Sequence, residues 1–260
     1  MPLVVVKLGG SLITDKKRPF TIRRDVLLRV AGEIAEACAS LRLIVVHGGG
    51  SYGHPMAKKY RVREGLPASS LKGLAETRYW MTVLNAEVTR ALIDAGVPAV
   101  PVQTSAFLVA EDGRPVEIFA RPLELLVDIG AVPVAFGDVV PDKAKGFSIV
   151  SGDVLAAELA VRLKAERLVY AVDVDGVYSS DPRLDPDAKL LEQLSLAEAE
   201  ELTGSASGID VTGGIGLKLA CAALAARRGI DVVIGSGQRK GNLLRMLLGL
   251  DAVCTRIVPR

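Results

Sequence analysis

Leu43-Ile44-Val45-Val46-His47-Gly48-Gly49-Gly50-Ser51-Tyr52-Gly53-His54 runs an apolar stretch straight into a cluster of glycines. The apolar part has no polar alternation, the pattern of a strand covered on both faces. Glycine lets backbone amides approach an anion with no Cβ in the way. Three glycines in a row at a strand end sacrifice backbone entropy without packing anything, so this loop reads as an anion cradle. The same arrangement occurs at the N-terminus, where Leu3–Val6 leads into Lys7-Leu8-Gly9-Gly10-Ser11. It recurs where Leu168–Val172 leads into Asp173-Val174-Asp175-Gly176.

Outward from these blocks, Ala99–Val102, Val132–Phe136 and Val232–Ile234 are further short β-branched runs. Between the strands, Asp25–Leu41, Leu71–Ala95, Asp153–Lys164, Ser195–Thr203 and Leu217–Arg228 carry helical patterns. Strand–helix alternation predicts an α/β fold with a mostly parallel sheet between helical layers. Ligands of such sheets gather at the carboxyl ends of the strands, where the glycine blocks fall. Val139–Ile149 is turn-rich and reads as a hairpin beside the site. Ser179–Asp187 and the glycine-rich Ser205–Gly216 read as loops. No repeat or low-complexity tract occurs. A soft boundary near residue 165 divides an acceptor and phosphate lobe (1–165) from a nucleotide lobe (166–260) within one domain.

Composition narrows the function. The chain has 260 residues, half of them hydrophobic, with a net charge of +2. That is enough for a substantial core, and it gives no reason to expect nucleic acid as a partner. Cys38, Cys221 and Cys254 are widely spaced, a poor disulfide framework and a poor zinc site. Met1–Ser11 has no charged segment ahead of its apolar run, and no apolar run reaches membrane-spanning length. The expectation is a cytoplasmic protein with no membrane partner.

Two familiar phosphate motifs nearly fit. Gly48, Gly50 and Gly53 have G-x-G-x-x-G spacing, but Pro67–Gly73 lacks the acidic residue a dinucleotide site wants. Gly48 and Gly53 have Walker A spacing, but His54-Pro55 replaces its Lys-Ser or Lys-Thr. The loop therefore binds phosphate by another scheme. Lys7, Lys16 and Lys218 each stand beside glycines or turn residues. A lone surface lysine is normally a solvated charge. Three at such junctions suit phosphoryl transfer, which needs positive groups around spreading charge and little covalent chemistry from the protein. Asp153, after Ser151-Gly152, is placed either to cap a helix or to orient two of the lysines. His47 ends an apolar strand and reads as a satisfied buried residue. His54, in the glycine loop, reads as a donor to an anionic acceptor. No carboxylate stands out as a general base. A monophosphate acceptor, whose second pKa is near 6, needs none at pH 7.

Together, Lys7–Ser11, Asp15-Lys16, the glycine loop, Ser151-Gly152-Asp153, Asp173–Tyr178 and Asp210–Gly216 with Lys218 resemble the amino acid kinase family over almost the whole chain. Within it, the loop ending in His54 is similar to the archaeal-type isopentenyl phosphate kinase branch. The resemblance also extends to phosphonate kinases of the fosfomycin type. It implies an open three-layer αβα sandwich, a homodimer, ATP as donor, and Mg2+ held mainly by the nucleotide phosphates with no metal-ligating residue assigned. It further implies that Lys7 and Lys218 contact the ATP phosphates, oriented by Asp153, and that Lys16 stabilises the transferring group. Gly9, Gly10, Ser11 and Gly50 would cradle the β- and γ-phosphates. Asp173, Asp175, Gly176 and Gly214 would line the nucleotide side. Gly49 and His54 would hold the acceptor phosphate, Leu74, Thr77, Val139 and Ile149 would face an isoprenoid tail, and Ser148 and Gly152 would complete the substrate-binding set.

Overall fold

The computed structural model describes residues 1–182, 184–204 and 215–258. In chain order come β1 (Leu3–Leu8), α1 (Gly10–Ile13), α2 (Arg24–Ala37), β2 (Arg42–His47), α3 (Gly50–Lys59), α4 (Leu71–Asp94), β3 (Ala99–Pro101), β4 (Leu108–Glu111), β5 (Arg114–Ile118), α5 (Arg121–Asp128), β6 (Val132–Phe136), β7 (Asp138–Asp142) and β8 (Gly146–Val150). They are followed by α6 (Gly152–Arg162), β9 (Arg167–Val172), β10 (Gln193–Ser195), α7 (Leu196–Gly204), α8 (Ile215–Ala226), β11 (Asp231–Ser236), α9 (Asn242–Leu248) and β12 (Cys254–Val258).

β1 is buried at every position because both of its faces are covered. Leu3 and Val5 pack with α5, α6, α7 and α8 on one side, and Val4 and Val6 pack with α2, α4 and α9 on the other. A strand whose side chains alternate between two apolar layers must be apolar throughout. The result is the expected three-layer αβα sandwich. Its sheet has eight strands in the order β10-β12-β11-β9-β1-β2-β6-β3. The pairs from β11 to β3 are parallel, and β12 runs antiparallel to β11. The carboxyl ends of β1, β2, β9 and β11 therefore share one edge, where the chain releases Gly9, Gly48, Asp173 and Gly237.

Each of the six predicted strands and five predicted helices forms, with shifts at the ends, and Val139–Ile149 is the hairpin β7–β8. Two expectations are corrected. Lys7 lies inside β1 rather than after it. Gly53 and His54 lie on a helix, α3, rather than in a glycine loop. Pro55 inside α3 removes a backbone donor, which argues against a helix on sequence grounds. The freed carbonyl of Ser51 is taken instead by the amide of Phe20, at 3.0 Å. Segment 205–214, including the Asp210–Gly214 part of the kinase-like motif, lies outside the described residues.

Two buried carboxylates fix parts far apart in sequence. Asp142 accepts from the amides of Gly113, Ala144 and Lys145 at 2.8–2.9 Å, joining the β4–β5 turn to the β7–β8 turn. Glu33 of α2 accepts from Gly241 and Leu244 at the start of α9, at 3.0 and 3.1 Å, and from Arg29 at 2.9 Å. It caps orphan amides that α9 cannot satisfy itself. Glu33→Ala leaves those donors without an acceptor, and should cost about 1–3 kcal/mol of stability. Denaturant unfolding measures this, and an unchanged midpoint would show that the cap contributes nothing.

Candidate active site

The centre of the site is a largely enclosed carboxylate, 14% exposed, held by two buried ammonium groups. Lys7 shares the sheet face of Val5, so its side chain passes toward α6 and α8. There its Nζ lies 2.8 Å from Oδ1 of Asp153. Lys218 Nζ, from α8, lies 2.8 Å from the same oxygen. Both lysines are only 6% exposed. Asp153 is free for this role because Ser151 caps α6, its hydroxyl accepting from Val154 at 3.2 Å. Between the two sequence-level alternatives for Asp153, the structure thus places the carboxylate with the lysines. Tyr170, register partner of Lys7 on β9, completes the support. Its hydroxyl donates to the carbonyl of Asp153 at 3.0 Å, and its ring lies 5.0 Å from Lys218 Nζ, within cation–π range.

The electrostatics follow from this packing. Burial raises the pKa of Asp153, but Lys7 and Lys218 more than offset it and hold the carboxyl well below the usual carboxylate range. Burial, then the charge of Lys7, pushes Lys218 down to about 8 against the opposing pull of Asp153.

Above this clamp the two glycine blocks touch. A Cβ on Gly10 would lie 2.6 Å from the Cα of Gly50, so neither loop tolerates a side chain between them. Gly50 also has φ +47, a left-handed conformation that favours glycine. A Cβ on Gly48 would lie 3.6 Å from Lys7 Nζ, which puts the lysine directly under the loop. Gly9 donates to the carbonyl of Ala171 at 2.8 Å, locking the first block to β9. Among the described residues, no intramolecular acceptor takes the amides of Gly10, Ser11, Gly49 or Gly50. Four free donors at two adjoining helix starts, over a buried cationic clamp, form an anion cradle. Gly152 adjoins it, packed against the carbonyl of His47 and the Cα of Gly48.

Around the cradle stand Lys16 and two histidines. Lys16 Nζ reaches across the cleft to Asp173, 3.3 Å away. Burial raises the pKa of Asp173, and the Lys16 charge leads the groups that bring it below its ordinary value. His54 projects from α3 beside Gly49. The residue is exposed, and partial desolvation by its neighbours, then the charges of Arg63, Lys7 and Lys16, hold its pKa below the usual imidazole value. His47 is fully buried and pushed down to about 4 by that burial. It bonds to Gly48 and Asn85 at 3.1 Å, the satisfied core histidine that the sequence suggested.

On the nucleotide side, Asp173 and Asp175 line a surface pocket with Tyr178, Ser236, Gln238 and Arg239. Arg239 grips Asp175 with bonds of 2.7 and 2.6 Å, an ion pair that nothing in the local sequence pattern signals. Beyond Asp175, Gly176 is followed by Val177, whose amide donates to Thr255 of β12 at 2.8 Å. Gly214 lies outside the described residues.

On the other side of the cradle, Leu74 and Ile149 pack with Val62, Val139 and Phe147 in a small apolar cluster separate from the two main cores. Thr77 is buried one helical turn beyond Leu74, with its hydroxyl unpartnered. Ser148 is not brought to this cluster. It alternates with Phe147 and Ile149 along β8 and points to the opposite face.

Comparison with known proteins agrees with this geometry. The family model described as "Amino acid kinase family" matches residues 2–236. The chain is 40% identical to isopentenyl phosphate kinase of Methanothermobacter thermautotrophicus, over 99% of this chain and all of that protein. It superposes on a crystal structure of an isopentenyl phosphate kinase with a TM-score of 0.85 at 36% identity, covering 98% of this chain and all of the other. A second crystal structure, of an isopentenyl phosphate kinase substrate complex, superposes with a TM-score of 0.81 at 30% identity, covering 99% of this chain and all of the other.

The lowered pKa of Lys218 has a measurable consequence. Near pH 8 roughly half of the free lysine is neutral, and an anionic ligand favours its charged form. Binding of ATP should therefore take up about half a proton at pH 8, read by calorimetry in buffers of different ionisation enthalpy. The uptake should vanish in Lys218→Arg, whose guanidinium is charged throughout. Equal uptake in both proteins would mean that another group titrates.

Proposed function

Because the chain belongs to the amino acid kinase family, we propose that it transfers the γ-phosphoryl group of ATP to isopentenyl phosphate, giving isopentenyl diphosphate and ADP. The observation that carries this reading is the Lys7–Asp153–Lys218 clamp under a cradle of free amides, set between a nucleotide-side pocket and an apolar cluster. The relatives named above support the choice of acceptor.

In this reading the amides of Gly10, Ser11 and Gly50 receive the β- and γ-phosphates, which Lys7 and Lys218 neutralise, while Gly9 lines the cradle with its own amide held by Ala171. Asp173, Asp175 and Gly176 border the nucleoside. Gly49, Gly152 and His54 hold the acceptor phosphate. The acceptor oxygen attacks the γ-phosphorus as the bond to ADP breaks. Lys16, across the cleft, meets the charge that spreads over the transferring group. No proton needs removing from a dianionic acceptor, and the cleft carboxylates are already engaged: Asp153 by two lysines and Asp173 by Lys16. Among the described residues no group of three or more His, Cys, Asp or Glu side chains is placed to hold a metal ion. That donor set fits Mg2+ carried by the phosphate oxygens, where it would supply charge neutralisation. A cytoplasmic homodimer, with residues 1–165 as acceptor lobe and 166–260 as nucleotide lobe, belongs to the same reading and rests on the family resemblance.

The test is ADP release with Mg-ATP and a panel of isopentenyl phosphate, dimethylallyl phosphate, fosfomycin, N-acetylglutamate and UMP. Turnover highest with isopentenyl phosphate is expected, and a preference for any other class overturns the assignment. Lys16→Ala should lower kcat roughly 100- to 1000-fold, as loss of a transition-state donor does, with ATP binding little changed. A near wild-type kcat would remove Lys16 from the mechanism. Leu74→Ala should relax the limit on tail length, raising kcat/KM for a ten-carbon monophosphate relative to a five-carbon one. If Leu74 only packs α4, the variant instead loses about 2–5 kcal/mol of stability with its chain-length preference intact.

A further inference from the structure

We infer that Thr14 is a positioning residue, whose hydroxyl sets the spacing between the donor-phosphate and acceptor-phosphate cradles. This rests on the assignment given above, in which Gly10, Ser11 and Gly50 face the donor phosphates and Gly49 and His54 the acceptor phosphate. Thr14 follows α1 and is 1% exposed. Its hydroxyl donates to the carbonyl of Gly10 at 2.6 Å and accepts from the amide of Ser51 at 2.9 Å. One oxygen therefore bonds to the first glycine block and to the first turn of α3, which carries Gly50 and His54. It also occupies the space that a Cβ on Gly50 would fill, so the left-handed glycine and the buried hydroxyl fit each other.

The bond has a second effect. Ser51 contributes one of the first-turn amides of α3, a donor with no partner inside the helix. Thr14 takes that amide and leaves those of Gly49 and Gly50 free, so the hydroxyl selects which donors face a ligand. The backbone around it is braced in the same sense. The amide of Thr14 also bonds to Gly10 at 2.9 Å, and Thr14 forms a bridge with Ile22 that closes the loop carrying Lys16. The buried hydroxyl thus joins the first glycine block to the start of α3, and the backbone of the same residue closes the base of the Lys16 loop. In-line transfer is sensitive to such spacing, since a shift near 1 Å in reacting groups can cost about 100-fold.

The experiment compares Thr14→Val, which keeps the shape and loses the hydroxyl, with Thr14→Ser, which keeps the hydroxyl. Both are assayed on whichever acceptor of the panel the wild type turns over, so failure of the isopentenyl assignment appears in the wild type and stays separate. The expected result is a kcat lowered roughly 10- to 100-fold in Thr14→Val, with the Kd for a non-hydrolysable ATP analogue within about threefold of wild type. Thr14→Ser should recover kcat to within about threefold. A folded Thr14→Val with wild-type kcat overturns the inference. So does a Thr14→Ser as impaired as Thr14→Val, which would assign the effect to packing of the methyl group. Should Thr14→Val fail to fold, Thr14→Ala replaces it in the same comparison with Thr14→Ser.

Discussion

A carboxylate cannot be largely withdrawn from water without compensation, and the Asp153 side chain is only 14% exposed. Its two partners, Lys7 and Lys218, come from the central strand and from a helix late in the chain, and both approach the same oxygen. The trio carries a net positive charge in a place that water reaches poorly. Such an arrangement is tolerable in the free protein and improves when an anion arrives, because the second ammonium then gains a partner. The depressed pKa of Lys218 expresses that incomplete compensation. The clamp also requires β1, α6 and α8 to meet at one point, so the site and the sandwich are specified together.

What surrounds the clamp must then let phosphate close without side chains in the way. Gly10 and Gly50 achieve this by touching, which leaves backbone amides as the innermost surface. Touching glycines have no side chains with which to hold their own spacing. The holding groups are therefore neighbours: Thr14 between the loops, Phe20 on the carbonyl that Pro55 leaves free, and Ala171 on Gly9. The cradle is flexible by composition and fixed by context.

This division explains what could be seen in the sequence. The apolar strands were legible because burial on both faces dictates an unbroken β-branched pattern, and the three lysines because each stands near glycines or turn residues. Helix α3 was not, since Gly53 and Pro55 are the residues that local propensity rejects and the compensating bond comes from Phe20. Thr14 was hidden because its acceptor Gly10 is a helical turn away while its donor Ser51 belongs to a different block. Arg239 was hidden for the same reason, its partner Asp175 lying on another strand end. Ser148 shows the converse limit. Resemblance carried it into the acceptor site, but the parity of β8 turns it to the other face.

In the proposed function, the two halves of the acceptor site are built from different materials. The phosphate half is held by charge and backbone hydrogen bonds anchored on the main sheet. The tail half would be the small apolar cluster around Val62, Val139 and Phe147, outside both main cores. An apolar pocket discriminates a methylene by only about 1–3 kcal/mol, whereas misplaced phosphates stop the reaction. Changing Leu74 or Ile149 alters the cluster without reaching the clamp, so acceptor choice can vary while the chemistry stays fixed. A fold arranged this way suits a set of kinases that share one phosphoryl donor and differ in what they phosphorylate.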